Sequence, residues 1–233
     1  KQLLARLESE LEDPFFFAHK ELDQLFFQEE SMQLVPRDLI ARISEETSKS
    51  CYSSFQKMLK EDRIDLFFLG YFNEIEVLEN LKKFNLTGRK ETVNIQYQQG
   101  YSNVLREGIA RKNLGQSILE MGYHSTIGYG DDQKMALLLV NGLLGAFPHS
   151  KLFTQVREKE GLAYTVSSHL DLFSGFLRLF AGINRQNRNK ARKLMNDQLL
   201  AIKNGRFTDA EVTQTKEMIR RTMLLSQDNQ DSI

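Results

Sequence analysis

Cysteine is almost missing from this chain: Cys51 is the only one in 233 residues. No intrachain disulfide can form, and the composition fits a reducing compartment. A surplus of either charge is missing too. Lys+Arg and Asp+Glu both number 31, which argues against a nucleic-acid or anionic-membrane binder, since such proteins need a cationic excess. No apolar run approaches the length of a membrane span. Lys1-Gln2-Leu3-Leu4 leads straight into a charged amphipathic pattern, so no signal peptide is read at the start. Metal-ligand spacing is also lacking. His19, His124, His149 and His169 are scattered, none three or four residues from another, and no H-E-x-x-H or H-x-x-E-H occurs. Each is expected to be an ordinary surface or loop residue. Gly128-x-Gly130 is too short for a dinucleotide fingerprint and runs into aspartates. The expectation is a soluble, cytoplasmic protein with no metal or cofactor of its own, no nucleic acid and no membrane. Residue 1 is not methionine and is read as an internal position.

What the sequence does have is apolar material, 41% of its residues, placed with clear periodicity. Leu3, Leu4, Leu7 and Leu11 share a helical face. Asp13-Pro14 reads as a cap followed by proline at the first helical position, opening a helix with Phe15, Leu22 and Phe26. Pro36 marks another start, and Ser44 is expected to cap a helix whose apolar stripe includes Cys51, Tyr52 and Phe55. On that stripe Cys51 is read as a small core residue rather than a nucleophile. Arg63 to Leu69 alternates and is aromatic-rich, which predicts a strand ending at Gly70. Asn73 with Glu76 predicts a capping box.

Beyond a polar, glycine-punctuated stretch the pattern changes. Gln116 to Tyr123 reads as a strand, and Met135 to Phe147 as a helix apolar almost all round. A second helix carries Leu152, Phe153 and Val156 and stops at Gly161. Two strands follow, Leu162 to Leu170 and Phe176 to Ile183, then a helix closed by Gly205 and a last one opened by the box Thr208 to Glu211. The order β-α-α-β-β-α-α is α+β, with helices packed on one face of an antiparallel sheet. Phe15, Leu22, Phe67, Leu139, Leu143 and Val166 are the expected buried residues.

The candidate chemistry lies in REKEGLAYTVSSH, Arg157 to His169. Arg157 falls in the last turn of a helix, where a cation is favoured by the dipole, and Tyr164 lies just past the glycine turn. A guanidinium and a phenol held near one point could grip a peptide carbonyl or stabilise an oxyanion. The structural alternative has Arg157 capping carbonyls and Tyr164 packed in the sheet, and the residues taken alone favour that. Arg185, Arg188, Lys190, Arg192 and Lys193 form a basic cluster, read first as a solvated face and second as a docking patch for an acidic partner.

The run GLLGAFPHSKLFTQVREKEGLAYTVSSHLDLFSGFLRLFAGIN resembles the C-terminal domain of zinc peptidases of the pitrilysin/insulinase type, which include mitochondrial processing peptidase. Order and spacing agree over about 120 residues, through Ser150-Lys151-Leu152-Phe153 and then Arg157 to Tyr164. The resemblance implies ferredoxin-like metallohydrolase halves. It divides the chain into 1–86, the second half of an N-terminal peptidase-like domain, a linker at 87–108, and 109–233, a C-terminal peptidase-like domain truncated at its end. Tyr71 departs from the family, which often has Asp after the strand glycine. The resemblance maps a substrate-contacting pair onto Arg157 and Tyr164, and places the zinc motif in a missing N-terminal half or in a partner. It therefore implies the substrate-binding part of a zinc-dependent endopeptidase, inactive alone, with a peptide substrate and either a zinc-bearing homologous subunit or a second copy as partner. The alternative is a non-catalytic structural or protein-binding subunit, like the core subunits of the respiratory bc1 complex that share this fold.

Overall fold

The computed structural model describes residues 2–84 and 104–226. They fall into two compact units, one formed by 2–37 with 104–226 and the other by 38–84. The first helices fall in the same unit as the later sheet because they pack against it.

In the larger unit α1 (Gln2–Glu12) and α2 (Pro14–Phe26) precede the short α3 (Glu30–Gln33). The Asp13 carboxylate accepts from the Phe15 and Phe16 amides, so the Asp-Pro signal marks the start of α2 as read. Strand β1 (Ser117–His124) leads to α7 (Lys134–Asn141), which runs on into a π-helical turn, Gly142–Ala146. A second π-helix (Leu152–Lys159), strands β2 (Ala163–Asp171) and β3 (Phe176–Ile183), then α8 (Arg188–Lys203) and α9 (Asp209–Ser226) complete it. The sheet is antiparallel in the order β1-β3-β2. The Thr208 box caps α9 reciprocally, with the Glu211 carboxylate accepting from the Thr208 amide and Thr208 Oγ1 from the Glu211 amide.

Side chains alternate across a strand, and central β3 shows what covers each face. Leu177, Leu179, Ala181 and Ile183 join the main core with Leu144, Leu152, Val156, Ala191 and Met195. This is the helix-covered face that the apolar periodicity implied. Gly142 lets the π-helical turn lie against α9: a Cβ there would meet Thr215 Cγ2 at 2.4 Å. The alternate residues of β3 turn the other way and meet α2. Phe15 packs edge-on against Phe180, Phe26 lies against Phe176, and Arg178 bonds Asp23.

The smaller unit holds most of α4 (Pro36–Glu45), together with α5 (Ser48–Glu61) and α6 (Glu74–Lys82). It corrects several expectations. Thr47, not Ser44, caps α5; the Ser44 hydroxyl instead bonds back to the Ile40 carbonyl within α4. Asn73 caps α6 by accepting from the Ile75 amide. The stretch 63–69 is extended but pairs with no strand among the described residues, and Phe67 is 93% exposed rather than buried. Cys51 is exposed, not a core residue, along with Tyr52 and Phe55. No residue from 38 to 84 is buried, so the apolar stripe of α5 is real but uncovered. Of the other expected core positions, Leu143 and Val166 are buried, while Phe15, Leu22 and Leu139 are half-buried. Residues 104–108 of the expected linker have no regular structure, and its earlier part, 87–103, lies outside the described residues.

Candidate functional site

The second π-helix delivers Arg157 in its last turn. The Glu160 amide reaches back five residues to the Gln155 carbonyl at 3.2 Å, and the Leu162 amide to Val156 at 2.9 Å. Between them Gly161 takes φ +58°, the left-handed turn that ends the helix. The chain then enters β2 within two residues. Arg157 stacks its guanidinium 4.6 Å from the centre of the Phe153 ring and stands 3.7 Å from the Glu158 carboxylate. Stacking of this kind fixes the plane of a guanidinium while leaving its N–H edge available.

Tyr164 is set by a feature that spacing could not reveal. Ala163 pairs with Ile183 but Thr165 pairs with Gly182, so two residues of β2 stand opposite one of β3 across Tyr164. This is a β-bulge, which re-aims a side chain and alters local twist. Tyr164 and Thr165 are consequently exposed in succession, flanked by buried Ala163 and Val166. Tyr164 is 63% exposed, so it is not packed into the sheet as the structural alternative required. The local ion pair of Arg157 is with Glu158. Glu160 instead accepts from Lys190 at 2.9 Å, and that hydrogen bond holds its carboxyl below the usual range.

The histidines occupy four separate settings. His19 Nδ1 lies 2.8 Å from Glu120, within a chain of contacts that continues through Arg178 to Asp23. His124 stacks on Phe26, and His149 lies 2.8 Å from the Thr215 hydroxyl beside Phe147. Burial lowers the pKa of both, a shift that Glu211 partly opposes at His149. His169 is exposed. Among the described residues no group of three or more His, Cys, Asp or Glu side chains could hold a metal ion; these residues do not fit a zinc site. No described helix is long and apolar enough to cross a membrane.

Residues 47–219 match the family described as Peptidase M16 inactive domain. The chain belongs to that family, whose named relatives are metalloprotease-like. It is 30% identical over 225 residues to the probable inactive metalloprotease YmfF of Bacillus subtilis, covering 96% of this chain and 53% of that protein. A conserved protein from Enterococcus faecalis V583 superposes with a TM-score of 0.92 at 40% identity, covering 99% of this chain and 55% of that one. A chain of Complex III2 from Candida albicans shares the fold at a TM-score of 0.73 and 14% identity, over 99% of this chain and 57% of its own. The chain thus spans about half the length of the relatives it matches.

Proposed function

We propose that this chain is the substrate-binding, metal-free part of a zinc-dependent endopeptidase acting on peptides in the cytoplasm. In this reading residues 1–86 are the second half of one peptidase-like domain, 87–108 link it to the next, and 109–233 form most of that next domain. The uncovered apolar side chains between 38 and 84 suit half a domain whose other half lies elsewhere. Zinc and the groups that activate water belong to a homologous partner, either another half of the whole protein or a separate subunit, with a homodimer as the further arrangement. Arg157 and Tyr164 donate to the peptide carbonyl. The observation that carries this is the bulge: it turns a phenol out of the sheet three residues beyond the glycine turn that ends the helix of Arg157. A positive charge and a neutral donor, both open to solvent, are what an oxyanion requires.

The test is turnover of a peptide by the whole protein with its zinc-bearing homologue. Arg157→Ala or Tyr164→Phe is expected to lower kcat/KM by about 10²-fold, the usual loss for one oxyanion donor. Melting temperature is expected to hold, because neither side chain fills the core. Unchanged cleavage in both variants would end the reading. A non-catalytic binding subunit is the second reading, favoured by the YmfF relative being named a probable inactive metalloprotease. It requires that no zinc-bearing homologue confers turnover.

A further inference from the structure

We infer that a basic surface beside the glycine turn selects peptides carrying acidic side chains. This rests on the reading of Arg157 and Tyr164 as peptide-contacting groups and names the substrate class of that site. Charges cancel over the whole chain, but they do not cancel here. Ile183, the last residue of β3, pairs with Ala163 at the start of β2. The 3-10 turn Arg185–Asn187 and the first turn of α8 therefore leave the sheet at the end where Gly161 and Tyr164 stand. The Lys190–Glu160 bond ties the two segments together. Segments 157–160 and 185–193 contribute seven cations and two carboxylates. Both carboxylates are engaged, Glu158 by Arg157 and Glu160 by Lys190, while Arg192 takes Glu107. Lys159, Arg185, Arg188 and Lys193 remain exposed; Lys159 feels the Glu160 carboxylate, and among the described residues no ion pair engages Arg185, Arg188 or Lys193.

The arrangement is unfavourable for the fold. Like charges one turn apart on a helix repel, and cations at a helix start oppose its dipole. The first turn of α8 has no acidic residue to offset them. An acidic peptide would relieve that repulsion and gain charge-assisted hydrogen bonds to the guanidinium groups. A nucleic acid fits less well, since its affinity grows with the number of phosphates neutralised and three cations without an ion pair supply little of that.

Fluorescence anisotropy on the full-length protein tests this with three labelled peptides of one length, alternating Gly with Glu, Gln or Lys. The Glu peptide is expected to bind most tightly and to weaken with salt. Combining Arg185→Gln, Arg188→Gln and Lys193→Gln is expected to raise its Kd about tenfold while leaving the Gln peptide unchanged. Equal affinity for the three peptides, or an unaltered Kd in the triple variant, overturns the proposal, as does tighter binding of a single-stranded oligonucleotide of equal charge. Tyr164→Phe, which leaves every cation in place, should weaken the Glu and Gln peptides alike. If it weakens neither while charge selectivity persists, the basic surface stands and the reading of Arg157 and Tyr164 as a pair falls.

Discussion

Replacing Arg178 by Met should destabilise the larger unit severely, and the structure gives the scale. The residue is 8% exposed, with one guanidinium nitrogen 2.5 Å from Asp23 and another 3.4 Å from Glu120. Met fills much of the volume, so little of the cost comes from a cavity. It comes from the two carboxylates, which would lose their shared cation and keep only Lys20, 3.2 Å from Asp23, and His19, 2.8 Å from Glu120. With those partners remaining, the cost falls at the lower end of the roughly 3–5 kcal/mol for breaking a buried pair, still a large share of the roughly 5–15 kcal/mol that holds an ordinary domain folded. For a unit of this size that corresponds to a fall in Tm of about 10 °C. Urea unfolding followed by far-UV circular dichroism measures the loss, and hydrogen exchange locates it. Amides of α2 should lose protection first, because Asp23 lies on that helix. The control is Arg178→Met combined with Asp23→Leu and Glu120→Leu, which removes all three charges and should cost less than the single change. The reasoning is refuted if Arg178→Met costs under about 1 kcal/mol, the range of an exposed pair, or if the triple variant is the less stable one.

Two further outcomes follow from local geometry. A Cβ at Gly161 would meet nothing within 4 Å, so Gly161→Ala should cost about 1 kcal/mol from the left-handed backbone alone, and Gly161→Asn less; equal stability of wild type and Ala variant by urea titration would contradict this. His124 and His149 have folded pKa values lowered from 6.5 by burial, so the unfolded chain binds protons first as pH falls. Their stabilisation is present above about pH 6.5 and is lost on acidification, with Glu160 and Glu211 adding a second loss below their ordinary value of 4.5. Thermal melts from about pH 8 to pH 5 should decline, and His149→Gln should flatten the decline between pH 6.5 and 5; a flat wild-type profile would contradict the sign.

Much of the larger unit was legible because its signals are local. Asp13-Pro14, Gly161, Gly205 and the Thr208 box each act within one turn of chain, and each marks the boundary it was read to mark. The strand expected at 63–69 shows the limit. Alternation reports that one face suits burial, but a ladder needs a neighbouring strand, and none is present among the described residues. The same holds for Cys51: its stripe lies on a helix as the spacing implies, but among the described residues nothing buries it. The contact between α2 and the sheet lies beyond local spacing, although β3 carries a clue to it. In Phe176–Ile183 one arginine stands among seven apolar or glycine residues, a strand covered on both faces, and a charge in such a strand must be paired. Arg178 therefore called for carboxylates on a second layer, which Asp23 of α2 supplies together with Glu120 of β1.

The candidate site divides along the same line. The residue types and the glycine between them could be read from the sequence, because a helix that ends in a left-handed turn needs only nearby residues to specify it. The direction of Tyr164 could not. Regular alternation from Ala163 inward would send Thr165 to the core and leave Val166 outside, which places a threonine where the core wants an apolar side chain. One extra residue in β2 resolves the conflict by exposing both Tyr164 and Thr165 and returning Val166 to the buried face. The bulge thus answers a packing demand of the sheet, and the outward phenol follows from it. That coupling makes the orientation of Tyr164 robust to changes in its own ring, so Tyr164→Phe removes the hydroxyl without moving the strand, and any change in peptide binding or turnover then reports the donor itself.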